Sequence, residues 1–357
     1  MDTHSSRPQD LPTVLASKRR GSADTIGFAH LEHQIEAVVQ RIAAQDGAKI
    51  ERLLEGNGIA ADDRWRLAIA PHDDYAYAGL MYPLVLRNVA APLVIIFGVA
   101  HQARRLGLED QFVFDSFTHW SGPYGDIAVS PLRERIMATL PEGSYCVSDE
   151  MQRIEHSVES KLPFLQHFNR GLEIVPILVP CMSQARMNEL ATRLARSIAS
   201  ILDKDHLDWG ADIALIASTD AVHYGDQGWD GRNFAIYGAD EAGYVSARAH
   251  EQQIMRDCFE GDLRPDRIEL FTRYTLAEHD HREYKWPWCG RYSVPLGLLT
   301  AWHLQQLVRA PPLEGTILGY TTSLDDQRIN VDDLDGMGVT APATLRHWVG
   351  YAAVGFR

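Results

Sequence analysis

Apolar residues recur at helical spacing through Leu31, Ile35, Val38, Val39 and Ile42, and Gly47 follows where a C-cap would sit. This spacing predicts an amphipathic helix ending near that glycine. Further along, the pattern changes to short runs rich in Val, Ile and Leu: 67–70, 93–97, 174–179, 213–217, 316–320 and 349–356. These read as strands, several of them separated by helical stretches such as 187–202 and 244–259. The alternation predicts an α/β fold over residues 26–357: one domain with a central, mostly parallel sheet flanked on both faces by helices. The first 25 residues are polar, of mixed charge and without periodicity, and predict a flexible N-terminal arm.

Three of the strand runs lead directly into polar residues. The run at 67–70 enters Pro71-His72-Asp73-Asp74-Tyr75, that at 93–97 enters Gly98-Val99-Ala100-His101, and that at 213–217 enters Ser218-Thr219-Asp220, with His223 just beyond. Ligands of open α/β sheets bind at the carboxyl ends of the strands, so histidines far apart in sequence are brought together there. A single histidine after a strand more often completes a local hydrogen-bond network, but three at equivalent positions favour a metal site. Neutral imidazole suits iron, copper and zinc, and a thiolate adds affinity for the same metals.

Composition narrows the function. The formal net charge of -14 argues against a nucleic-acid partner, which would need clustered Lys and Arg. The longest apolar runs fall far short of the roughly 20 residues that span a bilayer, and no secretory h-region opens the chain, so a cytoplasmic protein without membrane insertion is expected. The four cysteines, Cys146, Cys181, Cys258 and Cys289, form no CxxC pair, which fits neither a disulfide framework nor a zinc knuckle. Neither GxGxxG nor a P-loop nor a GxSxG elbow is present.

Six segments, PHDDYAYAG (71–79), GVAHQ (98–102), IEHSVESKLPFLQ (154–166), IVPILV (174–179), STDAVHYG (218–225) and CGRYSVPLGLL (289–299), resemble in order the motifs of Memo-type proteins. These are also called AmmeMemoRadiSam system protein B, and they are related to class III extradiol dioxygenases. The resemblance implies metal ligands at His72, His101 and Cys289, and catalytic or supporting groups at Asp220 and His223. It further implies a mononuclear metal ion, Fe(II) before copper, a small aromatic or phenolic substrate, O₂, and a radical-SAM system partner. In the extradiol enzymes the third ligand is a glutamate; here Cys289 would occupy its place and His223 that of the acid/base.

Glu155 and His156 are read as further catalytic or shell residues, with capping of a helix start as the alternative. Asp73, Tyr75, Gln102, Trp288 and Arg291, with Tyr77 and Trp286, are read as pocket lining. The His-Ala-Gly-Tyr of the family is His72-Asp73-Asp74-Tyr75 here, the second His of a usual pair is Gln102, and the N-terminal Gly-Ser-Trp-Tyr element is absent. Glu278-His279-Asp280-His281 reads as a solvated loop near Cys289. Two other classes remain open: a metal-binding or peptide-binding protein without turnover, and a hydrolase or transferase with Cys289 as nucleophile and His223 as base.

Overall fold

The computed structural model describes residues 18–325 and 327–357. Its strands are β1 (Arg19–Arg20), β2 (Leu67–Ala70), β3 (Leu93–Val99), β4 (Phe112–Phe114), β5 (His119–Gly122), β6 (Gly125–Val129), β7 (Tyr145–Val147), β8 (Glu173–Val179), β9 (Ile213–Ser218), β10 (His223–Gly225), β11 (Gly261–Asp262), β12 (Glu314–Thr322) and β13 (His347–Phe356). They form a mixed sheet in the order β1-β5-β6-β8-β3-β9-β2-β13-β12-β11, with β4, β7 and β10 off this path. The middle, β6-β8-β3-β9-β2, is parallel throughout, and β13 and β12 add antiparallel strands at one side.

Alternate residues of these strands enter two apolar layers. On one face Leu67, Ile95, Val175 and Leu215 pack under the helices Gln184–Asp205 and Ser293–Leu307. On the other, Ala68, Val94, Ile174 and Ile216 meet the helix Glu32–Gly56 and the short helices of 75–86 and 162–168. Burial on both faces explains why the central strands are continuous apolar runs rather than alternating ones. Among the described residues no helix is long and apolar enough to cross a membrane.

The register sets up the site. Ala70 of β2 pairs with Ser218 of β9, and Phe97 of β3 pairs with Ala217, so three adjacent parallel strands end nearly level. The segments 71–74, 98–102 and 218–223 therefore leave the sheet side by side.

Two sequence expectations need correction. The first helix does not end at Gly47 but continues to Gly56, because Ile50 and Leu54 extend the buried stripe of Ile35, Val38 and Ile42. Their burial outweighs the cost of about 1 kcal/mol for a mid-helix glycine.

The boundary at residue 25 is also too late. Arg19 and Arg20 pair with His119 and Trp120 of β5, and Arg20 is 1% exposed. Its guanidinium binds Glu159 at 2.5 Å, donates to the carbonyls of Gln152 (2.7 Å) and Glu155 (2.5 Å), and stacks on Trp120. The flexible-arm expectation otherwise falls on residues 1–17, outside the described residues.

Removing one member of a buried ion pair strands the other charge, so Arg20→Ala is expected to lose about 3–5 kcal/mol of stability. Urea unfolding measures this. A loss below about 1 kcal/mol, as for an exposed pair, would mean that the buried pair is energetically neutral.

Candidate metal centre

His72, two residues beyond β2, is 1% exposed, and its Nε2 lies 3.3 Å from Cys289 Sγ. His101, two residues beyond β3, completes a group in which one donor atom from each of the three lies within 4.8 Å of the others. Cys289 reaches the site from the segment that precedes the helix Ser293–Leu307. Gly290 permits this approach: a Cβ there would stand 2.3 Å from the side chain of Thr219. The Gly290 amide instead donates to Thr219 Oγ1 at 2.9 Å, and the Asp220 amide donates to Cys289 Sγ at 3.0 Å.

Hydrogen bonds on the far side of each imidazole turn Nε2 toward the shared space. His101 Nδ1 lies 2.9 Å from the Glu155 carboxylate, which also accepts from the His101 amide. A carboxylate only accepts, so Nδ1 carries a proton and Nε2 is the nitrogen left facing the shared space.

His72 Nδ1 lies 2.8 Å from Ser218 Oγ. Ser218 Oγ accepts from Lys161 Nζ at 2.7 Å and donates to the Ser157 carbonyl at 2.7 Å, which leaves it as acceptor toward His72. Both histidines thus present Nε2 to Cys289.

Asp220 and His223 flank the same space. Asp220 Oδ1 accepts from the His72 amide at 2.8 Å, and Oδ2 lies 3.3 Å from His72 Nε2 and 4.0 Å from His223 Nε2. His223 is placed by its bond to the Pro287 carbonyl and by its ring contact with Trp229, and its Nε2 is buried without a partner. The second grouping of donors, Asp220, His223 and Cys289, is contiguous with the first.

Burial and the neighbouring groups set the protonation of these side chains. Burial, then His101, holds the His72 imidazole well below its ordinary range, and the same causes hold His223 at about 3. Burial and the neighbouring Asp220 push the Cys289 thiol up, while burial and Asp73 raise Asp220. Two neutral imidazoles, a buried thiol and a buried acid thus surround His101, whose imidazole, against burial, Glu155 and Cys289 hold well above its ordinary range. A bound divalent ion would take the place of the His101 Nε2 proton and stabilise the thiolate.

Glu155 behaves oppositely. Burial opposes its ionisation, but the adjacent His101 holds the carboxyl at about 2 against an ordinary 4.5. A lowered folded-state value contributes stability that is full above pH 4.5 and is lost as pH falls toward 2. In metal-free protein, wild type is therefore expected to lose on the order of 3 kcal/mol relative to Glu155→Gln across that window. Urea unfolding at a series of pH values checks this, and parallel profiles would exclude it. The same variant is expected to bind metal about 10- to 100-fold more weakly through lost orientation of His101.

The other expected site residues divide. His156, 38% exposed at its side chain, stacks on His101 at 5.0 Å and on Phe28, and so forms one wall. Gln102 is exposed beside His101. Asp73 lines a narrow cleft with His347 and Tyr351, and accepts from the Tyr351 hydroxyl at 2.7 Å.

Tyr75 and Trp288 are fully buried and do not line the mouth. Tyr75 donates to the Ser160 carbonyl among Phe28, Tyr82 and Phe164, and Trp288 packs on Phe259 and Phe271. Trp286 is likewise buried, and Tyr77 donates to the Ala341 carbonyl. Arg291 turns toward the preceding loop, stacked on Tyr284 and bonded to the Arg282 carbonyl. The 278–281 loop joins none of the potential metal-holding groups found among the described residues.

Sequence reasoning missed Lys161. It is fully buried within IEHSVESKLPFLQ, where its ammonium also binds the carbonyls of Pro71 (2.7 Å) and Ser157 (2.8 Å). A lysine one residue before a Leu-Pro helix start carries no local signal of burial.

The fold and donor set have counterparts in known sequences. A family model described as Memo-like protein matches residues 30–328, a span that includes all five residues from His72 to Cys289 described above. A MEMO1 family protein of Thermococcus kodakarensis is 27% identical over 317 residues, which cover 86% of this chain and 92% of that protein. One from Pyrococcus horikoshii is 26% identical over 265 residues, covering 73% and 81%. One from Saccharolobus islandicus is 30% identical over 162 residues, covering 44% and 52%. Since the family match takes in most of the sheet and the whole donor set, the chain belongs to the Memo-like protein family.

Proposed function

We propose that the chain is a mononuclear, iron- or copper-dependent oxidoreductase of dioxygenase type, acting on a small aromatic or phenolic substrate. The observation that carries this reading is the convergence of His72, His101 and Cys289 beside a neutral His223 whose Nε2 has no partner. Iron or copper held by that donor set would supply electron exchange between a substrate and O₂.

The chain's own groups supply the rest. His223, neutral throughout the physiological range, takes a proton from a phenolic hydroxyl at Nε2. The imidazolium so formed favours the carboxylate form of Asp220, 4.0 Å away, which burial and Asp73 otherwise disfavour. Glu155 holds the orientation of His101, and Ser218 with Lys161 that of His72. Substrate approaches across His101, His156 and His223, whose side chains are 30%, 38% and 26% exposed.

O₂ uptake by iron-loaded protein against catechols, phenols and amino acids tests the reading; no uptake with any of them would reject it. A metal-holding role without turnover is favoured by a different observation, the exposure of His101 at the edge of a thiol-containing donor set. That arrangement also suits transfer of copper to and from solution.

A further inference from the structure

The helix Glu241–Phe259 gives no donor to the centre, yet it sends a carboxylate into the core behind it. Glu251 is fully buried. Its Oε1 accepts from Trp286 Nε1 at 2.5 Å and Trp288 Nε1 at 2.6 Å, and its Oε2 accepts from the Val222 amide at 3.0 Å. Burial raises its carboxyl, against the lowering effect of these donors and of Tyr320. A carboxylate buried among neutral donors is costly to keep, and an apolar side chain would fill the space with less penalty.

The three N–H donors share one feature. Trp288 immediately precedes Cys289, Trp286 lies two residues earlier, and Val222 stands between Asp220 and His223. Val222 and Trp288 also form an antiparallel bridge, and the His223 amide donates to the Pro287 carbonyl at 3.0 Å. The two segments run past each other with Glu251 fastened to both.

We propose that Glu251 is a positioning residue of the metal centre: its carboxylate fastens the Cys289 segment to the Asp220–His223 turn and so sets where Sγ and the His223 imidazole stand. The inference rests on the reading of Cys289 as a ligand. Glutamine at this position keeps the size but turns an amide NH₂ against either the two indole N–H groups or the Val222 amide. Donor then faces donor, and one segment is released.

The test is titration of cobalt(II) into metal-free wild type, Glu251→Gln, Trp286→Phe and Ile198→Ala, reading affinity and the thiolate-to-cobalt charge-transfer band. Ile198→Ala hollows the same apolar layer from the helix Gln184–Asp205 and removes none of these hydrogen bonds, so it controls for lost stability. Glu251→Gln is expected to bind cobalt about 10- to 100-fold more weakly, with a displaced band. Trp286→Phe, which removes one indole donor and keeps the carboxylate, is expected to shift both in the same direction by less, and decides the matter if Glu251→Gln does not fold.

Wild-type affinity and band in the folded variants, or a loss no greater than that of Ile198→Ala, would overturn the role of Glu251 while leaving Cys289 a ligand. Wild type that binds no cobalt, or binds it without the band, would overturn both.

Discussion

Cys289→Ala is expected to lower metal affinity by more than the about 10- to 100-fold typical of lost outer-shell contacts, while the fold survives. The thiol is the one soft donor among the three, and it stands 3.3 Å from His72 Nε2. Its structural contribution is small by comparison: a sulfur that accepts the Asp220 amide at 3.0 Å and donates weakly to the Asp220 carbonyl at 3.4 Å. Losing that acceptor leaves one buried N–H unpaired, a cost of about 1–3 kcal/mol. Elemental analysis of purified protein alongside urea unfolding separates the two effects. Unchanged metal content in a folded variant would remove Cys289 from the donor set, and alkylation of Cys289 independent of metal would favour the nucleophile reading.

His223→Ala is expected to do the reverse, keeping the metal and losing turnover by about 10²- to 10⁴-fold, the usual contribution of a positioned acid/base. Its imidazole is held neutral by burial, with a value of about 3, so the Nε2 lone pair is free at physiological pH. Its ring rests on Trp229, which itself stacks on His347 at 4.1 Å, so the position does not depend on a hydrogen bond at Nε2. Metal content and O₂ uptake measured on one preparation distinguish the roles. Loss of metal would make His223 a ligand, and unchanged uptake would leave it without a part in the chemistry.

The two variants probe a site whose outline was legible in the sequence to an uneven degree. Strand β2 lies where its apolar run placed it, and β3, β8 and β9 extend theirs by one or two residues, because strands buried on both faces announce themselves locally. The convergence of His72, His101 and His223 followed from strand ends in a parallel sheet. The assignment of Cys289 needed the family resemblance, since a lone cysteine in WPWCGRY has no spacing that marks it.

The buried charges left no such trace. Arg20 finds Glu159 across 139 residues, Lys161 finds Pro71 across 90, and Glu251 finds Trp286 across 35. A charged residue reads as surface unless its partner is known, and these partners come from distant segments. For the same reason Trp286 and Trp288 looked like pocket walls, although Glu251 draws them into the core.

A protein-bound metal held by Cys289 together with His72 and His101 underlies every role proposed above. Elemental analysis of anaerobically purified, chelator-free protein, combined with X-ray absorption at the edge of the metal found, tests it most directly. The expected result is near-stoichiometric iron or copper with a sulfur neighbour and imidazole nitrogens. Metal-free protein, or a metal with no sulfur neighbour, would contradict it.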